Sequence, residues 1–304
     1  MRLDEHDAGD SIRDLGRGDG GGFGGLGGGG GGSGLGGLLF SLLPMLLGRR
    51  MGCGTLALIA VVGFFLLNSG IFSSANLSPS VGSEQTSGGN TACDTDAERL
   101  ACNVFSSTNI VWAQIFQAQG SQYREPTLNF FTDRNQSGCG AAQAAMGPFY
   151  CPADQGIYLD TSFFNELANR FGASGDAAQA YVIAHEVGHH IQTITGVSDR
   201  VRQAQARSSQ AEGNAMQVRM ELQADCYAGV WAATARTRAG QSVMEPGDME
   251  EAMQAANAIG DDTLMRSAGQ RPVPESFTHG TSAQRMEWLR RGLQTGDPRQ
   301  CNTL

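Results

Sequence analysis

The sequence contains no lysine, so all 21 of its basic side chains are arginines. It also lacks any Cys-x-x-Cys pair and is only 17% charged. Each shortage removes a class of function. Thirty acidic against 21 basic residues leave a formal charge of −9. With no basic stripe, recognition helix or aromatic–basic ladder to offset that charge, nucleic acid is excluded as a partner. Residues 16–37 hold 16 glycines in 22 positions, yet no Lys-Ser/Thr follows them, so they are not a phosphate-cradling loop. The missing Cys-x-x-Cys spacing excludes a cysteine-rich zinc site.

What is present divides unevenly along the chain. Residues 1–19 mix Asp4, Glu5, Asp7, Asp10, Asp14 and Asp19 with Arg2, Arg13 and Arg17. The glycine run beyond them buries too little apolar surface to offset its ordering entropy. Residues 1–37 are therefore expected to form a disordered tail. The apolar stretch 38–47 is short and interrupted by Pro44. Residues 54–72 are uncharged and apolar, close to the ~20 residues that cross a bilayer. Arg49 and Arg50 before them favour a cytoplasmic N-terminus. The expectation is a single-pass membrane protein: one transmembrane helix within 38–72, a Ser/Gly linker at 73–92, and a periplasmic or extracellular body at 93–304. Six cysteines lie in that body, Cys93, Cys102, Cys139, Cys151, Cys226 and Cys301. The even number suits an oxidising compartment, with fifteen full pairings open. Cys139–Cys151 is a candidate local staple, and Cys93–Cys102 a second.

The chemistry gathers at 180–192, AYVIAHEVGHHIQ. Positions i and i+4 share one helix face, so His185 and His189 can aim two imidazoles at one point. Glu186 lies beside the first. This is the spacing of two zinc ligands and a general base. Ala180, Val182, Ile183, Ala184 and Val187 make the helix apolar nearly all round, which places it in a core. Two histidines and a carboxylate buried there need partners or a metal. A third ligand is sought in RMELQADCYAGVWAA, 219–233, where Glu221 is the candidate. Asp225, four residues on, is the candidate acceptor for the far ring nitrogen of His185. His279 is a candidate stabiliser of a tetrahedral oxyanion, and Arg285 a candidate orienter of a carboxylate. The strand expected at 156–160 is a candidate edge for binding an extended substrate.

HEVGHH followed by ELQADCYAGVWA resembles the bacterial family of neutral zinc metallopeptidases. Further matching pieces are CGAAQAAMGPFYCPADQGIYLD at 139–160, GDAAQAYVIAHEVGHHIQ at 175–192 and RRGLQTGDPRQCNTL at 290–304. The likeness covers about residues 90–304, and the leader resembles that family's membrane-anchored layout in kind. More widely the pattern is similar to the gluzincins, with HExxH, a downstream Glu and an Asp four residues later. The resemblance implies an α+β fold: a mostly helical zincin-like domain with a small sheet. It implies Zn2+ held by His185, His189 and Glu221, with Glu186 as base, Asp225 and Arg285 behind the ligands, and a peptide or protein substrate. The 278–285 segment is similar to a His-Pro…Arg segment of related peptidases, but Gly280 stands where they have proline. Two rival functions remain: a zinc hydrolase acting on a non-protein substrate, and a non-catalytic envelope protein stabilised by zinc.

Overall fold

The computed structural model describes residues 1–5, 11–17 and 92–304. Helix α1 (Asp96–Ala118) opens where Thr95 and Glu98 close a reciprocal capping box, satisfying amide donors that the first turn otherwise leaves unpaired. It buries Val104, Phe105 and Trp112. A four-stranded sheet follows, in the order β1 (Ile12–Asp14), β2 (Thr127–Phe130), β6 (Gly156–Leu159), β5 (Phe149–Cys151). The first three strands are parallel and β5 is antiparallel. The hairpin β3–β4 (Arg134–Ser137, Gly140–Gln143) stands apart. Helix α2 (Ser162–Asn169) leads to the central helix α3 (Asp176–Ile194).

The apolar circumference of α3 has its consequence here. Fourteen of its 19 residues are buried, so it runs through the body instead of covering one face. Helices α4 (Val197–Gln205) and α5 (Gln210–Thr234) follow, then α6 (Asp248–Ala258), α7 (Asp261–Ser267) and α8 (Ser282–Thr295). Two close approaches set the geometry. A Cβ on Gly188 of α3 would stand 3.0 Å from the Cα of Ala224 in α5. One on Gly292 of α8 would stand 2.0 Å from the carbonyl oxygen of Cys226. Small residues thus bring α3 and α8 nearly backbone to backbone against α5. Disulfides join Cys93–Cys102, Cys139–Cys151 and Cys226–Cys301.

Several sequence expectations change. Strand β6 is not an edge: it lies between β2 and β5 with all four residues buried. The edge on that side is β5, whose Tyr150 hydroxyl lies 3.1 Å from Nδ1 of His190 on α3. Helices α6 and α7 are separated at Gly260, whose backbone lies against Ser282. Residues 1–5 and 11–17 are not a detached tail. Ile12 is 8% exposed and pairs across from Leu128. Averaging the short Ser11–Leu15 stretch with the neighbouring glycines hid a strand whose stability comes from covering the otherwise open edge of β2.

The membrane-anchored layout also requires correction. Among the described residues no helix is long and apolar enough to cross a membrane. The transmembrane helix, the membrane as partner and the single-pass localisation are therefore withdrawn. The stretch 54–72, together with the rest of 18–91, lies outside the described residues.

Candidate metal centre

Helices α3 and α5 bring three side chains together. Nε2 of His185 lies 3.1 Å from Oε2 of Glu221, and Nε2 of His189 lies 3.5 Å from the same oxygen. One ligand atom from each of the three residues falls within 4.8 Å of the others. The i,i+4 spacing supplies the imidazole pair, and the Gly188–Ala224 contact lets Glu221 reach it.

The partners behind these groups fix which atoms face inward. Nδ1 of His185 is 2.8 Å from Oδ1 of Asp225. That carboxylate only accepts when ionised, so Nδ1 carries the proton and Nε2 keeps its lone pair for the centre. Nδ1 of His189 is 2.9 Å from Oε1 of Gln192. The amide of Gln192 donates through Nε2 to the Met220 carbonyl at 2.7 Å, so its oxygen is the acceptor and His189 takes the same tautomer. Gln217 donates to Oε1 of Glu221 at 2.9 Å, leaving Oε2 toward the histidines.

Asp225 is fully buried and itself well held. Arg285 grips it in a fork, Nε to Oδ2 and Nη2 to Oδ1, each 2.9 Å. Tyr181 donates to Oδ1 at 2.6 Å. Burial opposes the charge on Asp225, but Arg285 and His185 outweigh it and hold the pKa down at about 2. Burial likewise opposes ionisation of Glu221, yet His189 and His185 keep its carboxyl well below the usual range. Burial pulls against a proton on His189, and Glu221 overcomes it, raising the pKa to about 9. The centre therefore attracts positive charge. Glu186 differs: burial, its largest influence, pushes its pKa up despite the neighbouring histidines. A raised carboxyl next to a cation site suits proton transfer near neutral pH.

His279 comes to the same region, within the electrostatic field of Glu221. Its Nδ1 is 3.1 Å from Oδ1 of Asp261. Oδ2 of Asp261 accepts the backbone N–H groups of Thr278, His279 and Gly280 at 2.8, 2.7 and 3.1 Å. Among the described residues the Nε2 of His279 takes no hydrogen bond. Burial works against its charge, but Asp261 raises its pKa. Gly280 has φ +91°. Proline is locked near −65° and cannot occupy this backbone, which accounts for the departure at position 280.

Sequence reasoning missed Tyr181, Gln192, Gln217 and Asp261. Gln192 and Gln217 stand three and four residues from His189 and Glu221, a spacing that could have flagged them. Tyr181 and Asp261 meet the site only through tertiary packing. His190, adjacent to the ligands, faces away. Its Nε2 binds the Arg124 carbonyl at 2.7 Å, and burial lowers its pKa to about 4, leaving a neutral ring that ties β5 to α3.

The family model described as "Putative neutral zinc metallopeptidase" matches residues 1–304. "Uncharacterized protein YpfJ" of Escherichia coli (strain K12) is 50% identical over 209 residues, 69% of this chain and 72% of that one. "Uncharacterized protein Mb2605" of Mycobacterium bovis is 43% identical over 218 residues, with the same shares covered. No solved structure matches.

Proposed function

Because the chain belongs to the neutral zinc metallopeptidase family, we propose that it is a zinc-dependent endopeptidase with Glu186 as general base. One observation carries this reading: two imidazole Nε2 atoms and one carboxylate oxygen converge, each with its other polar atom already committed. Two nitrogens and one oxygen suit zinc in a catalytic site with an open position. Among the described residues no fourth His, Cys, Asp or Glu joins the group. A structural zinc site is ordinarily closed by four protein ligands, which disfavours the non-catalytic reading.

Zinc at this position supplies Lewis-acid polarisation of a peptide carbonyl and acidifies a water toward neutral pH. The protein groups do the rest. Glu186, its proton affinity raised by burial, takes the proton of the attacking water and returns it to the leaving amine. His279, oriented by Asp261 and carrying an unengaged Nε2, donates to the oxyanion as it forms. Asp225 and Arg285 keep His185 in the required tautomer. The endopeptidase assignment extends the same chemistry to an internal peptide bond of the substrate.

The test replaces Glu186 by Gln in the full chain. Peptide hydrolysis should fall by about 10²–10⁴-fold, the usual contribution of a positioned base, while zinc content measured on the purified protein stays that of the parent. Undiminished hydrolysis would remove Glu186 from the mechanism. Loss of zinc together with activity would assign it a ligand role.

A further inference from the structure

We propose that residues 1–5 and 11–17 are docked on the metallopeptidase body as a strap, so that both flanks of the 18–91 segment lie in one compartment. The first contact is a backbone ladder. Strand β1 pairs in parallel with β2 in the register Ile12↔Leu128, Arg13↔Asn129, Asp14↔Phe130. The ladder continues past the strand: Leu128 donates to the Ser11 carbonyl at 2.8 Å, Leu15 to Phe130 at 2.9 Å, and Thr132 to Gly16 at 3.1 Å. These bonds use the edge of β2 whatever the side chains.

The second contact lies at the start of the chain. The side chain of Met1 is 1% exposed, packs against the main hydrophobic core and lines an apolar recess with Ala177, Tyr181, Trp231 and Leu289. The backbone of Arg2 donates to the Val243 carbonyl at 2.8 Å, and Arg238 donates from its backbone to Asp4 at 2.6 Å. Tyr181, which borders the recess, is the residue that donates to Asp225. The strap therefore grips the sheet at one end and supports the helix layer behind the metal centre at the other.

A backbone ladder and a Met1 side chain packed on the core require direct contact. A hydrocarbon layer is about 30 Å thick, far beyond the ~5 Å between paired strands. Residues 1–5, residues 11–17 and the body with its three disulfides must therefore share one side of any membrane the cell provides. Segment 18–91 begins and ends on that side.

The test uses the full chain in intact cells. Arg17 and Arg202 have side chains 69% and 63% exposed, and Cys53 is the one cysteine outside the three disulfides. Arg17→Cys and Arg202→Cys, each in a Cys53→Ser background, are treated with a membrane-impermeant maleimide before and after lysis. The expected result is the same labelling pattern for both positions. Opposite patterns would overturn the shared compartment. Docking is read separately on the purified protein. Ile12→Asp should speed proteolytic removal of the strap and lower the thermal midpoint, with Ile12→Val close to the parent. An Ile12→Asp protein as resistant as the parent would overturn docking. If Ile12→Asp yields no folded protein while Ile12→Val does, docking is supported.

Discussion

Helix α3 carries a cluster of potential metal ligands at each end. Near its C-terminal half are His185 and His189 with Glu221, and at its first turn is Asp176 with Asp248 and Glu251. Thirteen residues separate Asp176 from His189, about 20 Å along the axis. Both groups bring ligand atoms within 4.8 Å, yet their partners differ. At the histidine end the three residues meet one another on the inward side, and each ties its other polar atom to a residue outside the group: Nδ1 to Asp225, Nδ1 to Gln192, Oε1 to Gln217. At the acidic end the carboxylates are already spent on the protein. Asp176 and Asp248 hold the Met1 ammonium, Asp248 also accepts the Glu245 amide, and Glu251 caps the Ala177 amide. Closeness of donor atoms does not make a metal centre. What decides is which lone pairs the surrounding bonds leave free.

The sharpest break of this comparison is a pair of substitutions. Glu221→Ala should abolish stoichiometric zinc binding, since two imidazoles alone hold zinc poorly. Asp248→Asn should leave zinc content at the parental value. Metal analysis of the two purified proteins checks both, and zinc loss in Asp248→Asn would erase the distinction between the ends. A smaller effect is expected behind the histidines. Arg285 is 2% exposed and Asp225 fully buried, so Arg285→Met leaves a buried carboxylate without its cation. That should cost about 3–5 kcal/mol, measured by denaturant unfolding.

The smallest effect concerns pH. Burial opposes the charge on Asp261, but the His279 side chain and the backbone amides of His279 and Thr278 hold its pKa below the ordinary 3.8. A depressed carboxyl contributes stability that is fully present above its unfolded-state pKa, and that is lost as pH falls through the lower folded-state value. Asp261→Asn should therefore lower stability at neutral pH and flatten its decline below about pH 4. Thermal melts of both proteins across pH 2–7 test this on a carboxylate with no contact to a proposed ligand. An unchanged acid slope would detach Asp261 from the acid response.

The two ends of α3 were unequally legible. The helical spacing of His185 and His189 needs only a 3.6-residue repeat, and the apolar residues around them signalled burial before any contact was known. Glu221 and Asp225 followed the same spacing on α5. The acidic end gave no such signal, because its partners come from residues 1–5 and from α6. The strand β1 was read as tail because a three-residue strand has no periodicity of its own. The 156–160 segment was recognised as a strand, but edge or centre is settled by neighbours from distant sequence.

Local spacing by itself determined that two imidazoles and a carboxyl share a stretch of buried helix, and that a second helix offers two more carboxyls. Tertiary structure alone decided what those groups can do. The Gly188–Ala224 approach sets Glu221 against the histidines, the packing of α8 delivers Arg285 to Asp225, and Asp261 turns His279. The physical reason is that a sequence specifies side-chain chemistry and periodicity over a few turns. The tautomer of His185 and the charge on Glu221 are set by partners 36 to 100 residues away, and these become neighbours only when the core closes.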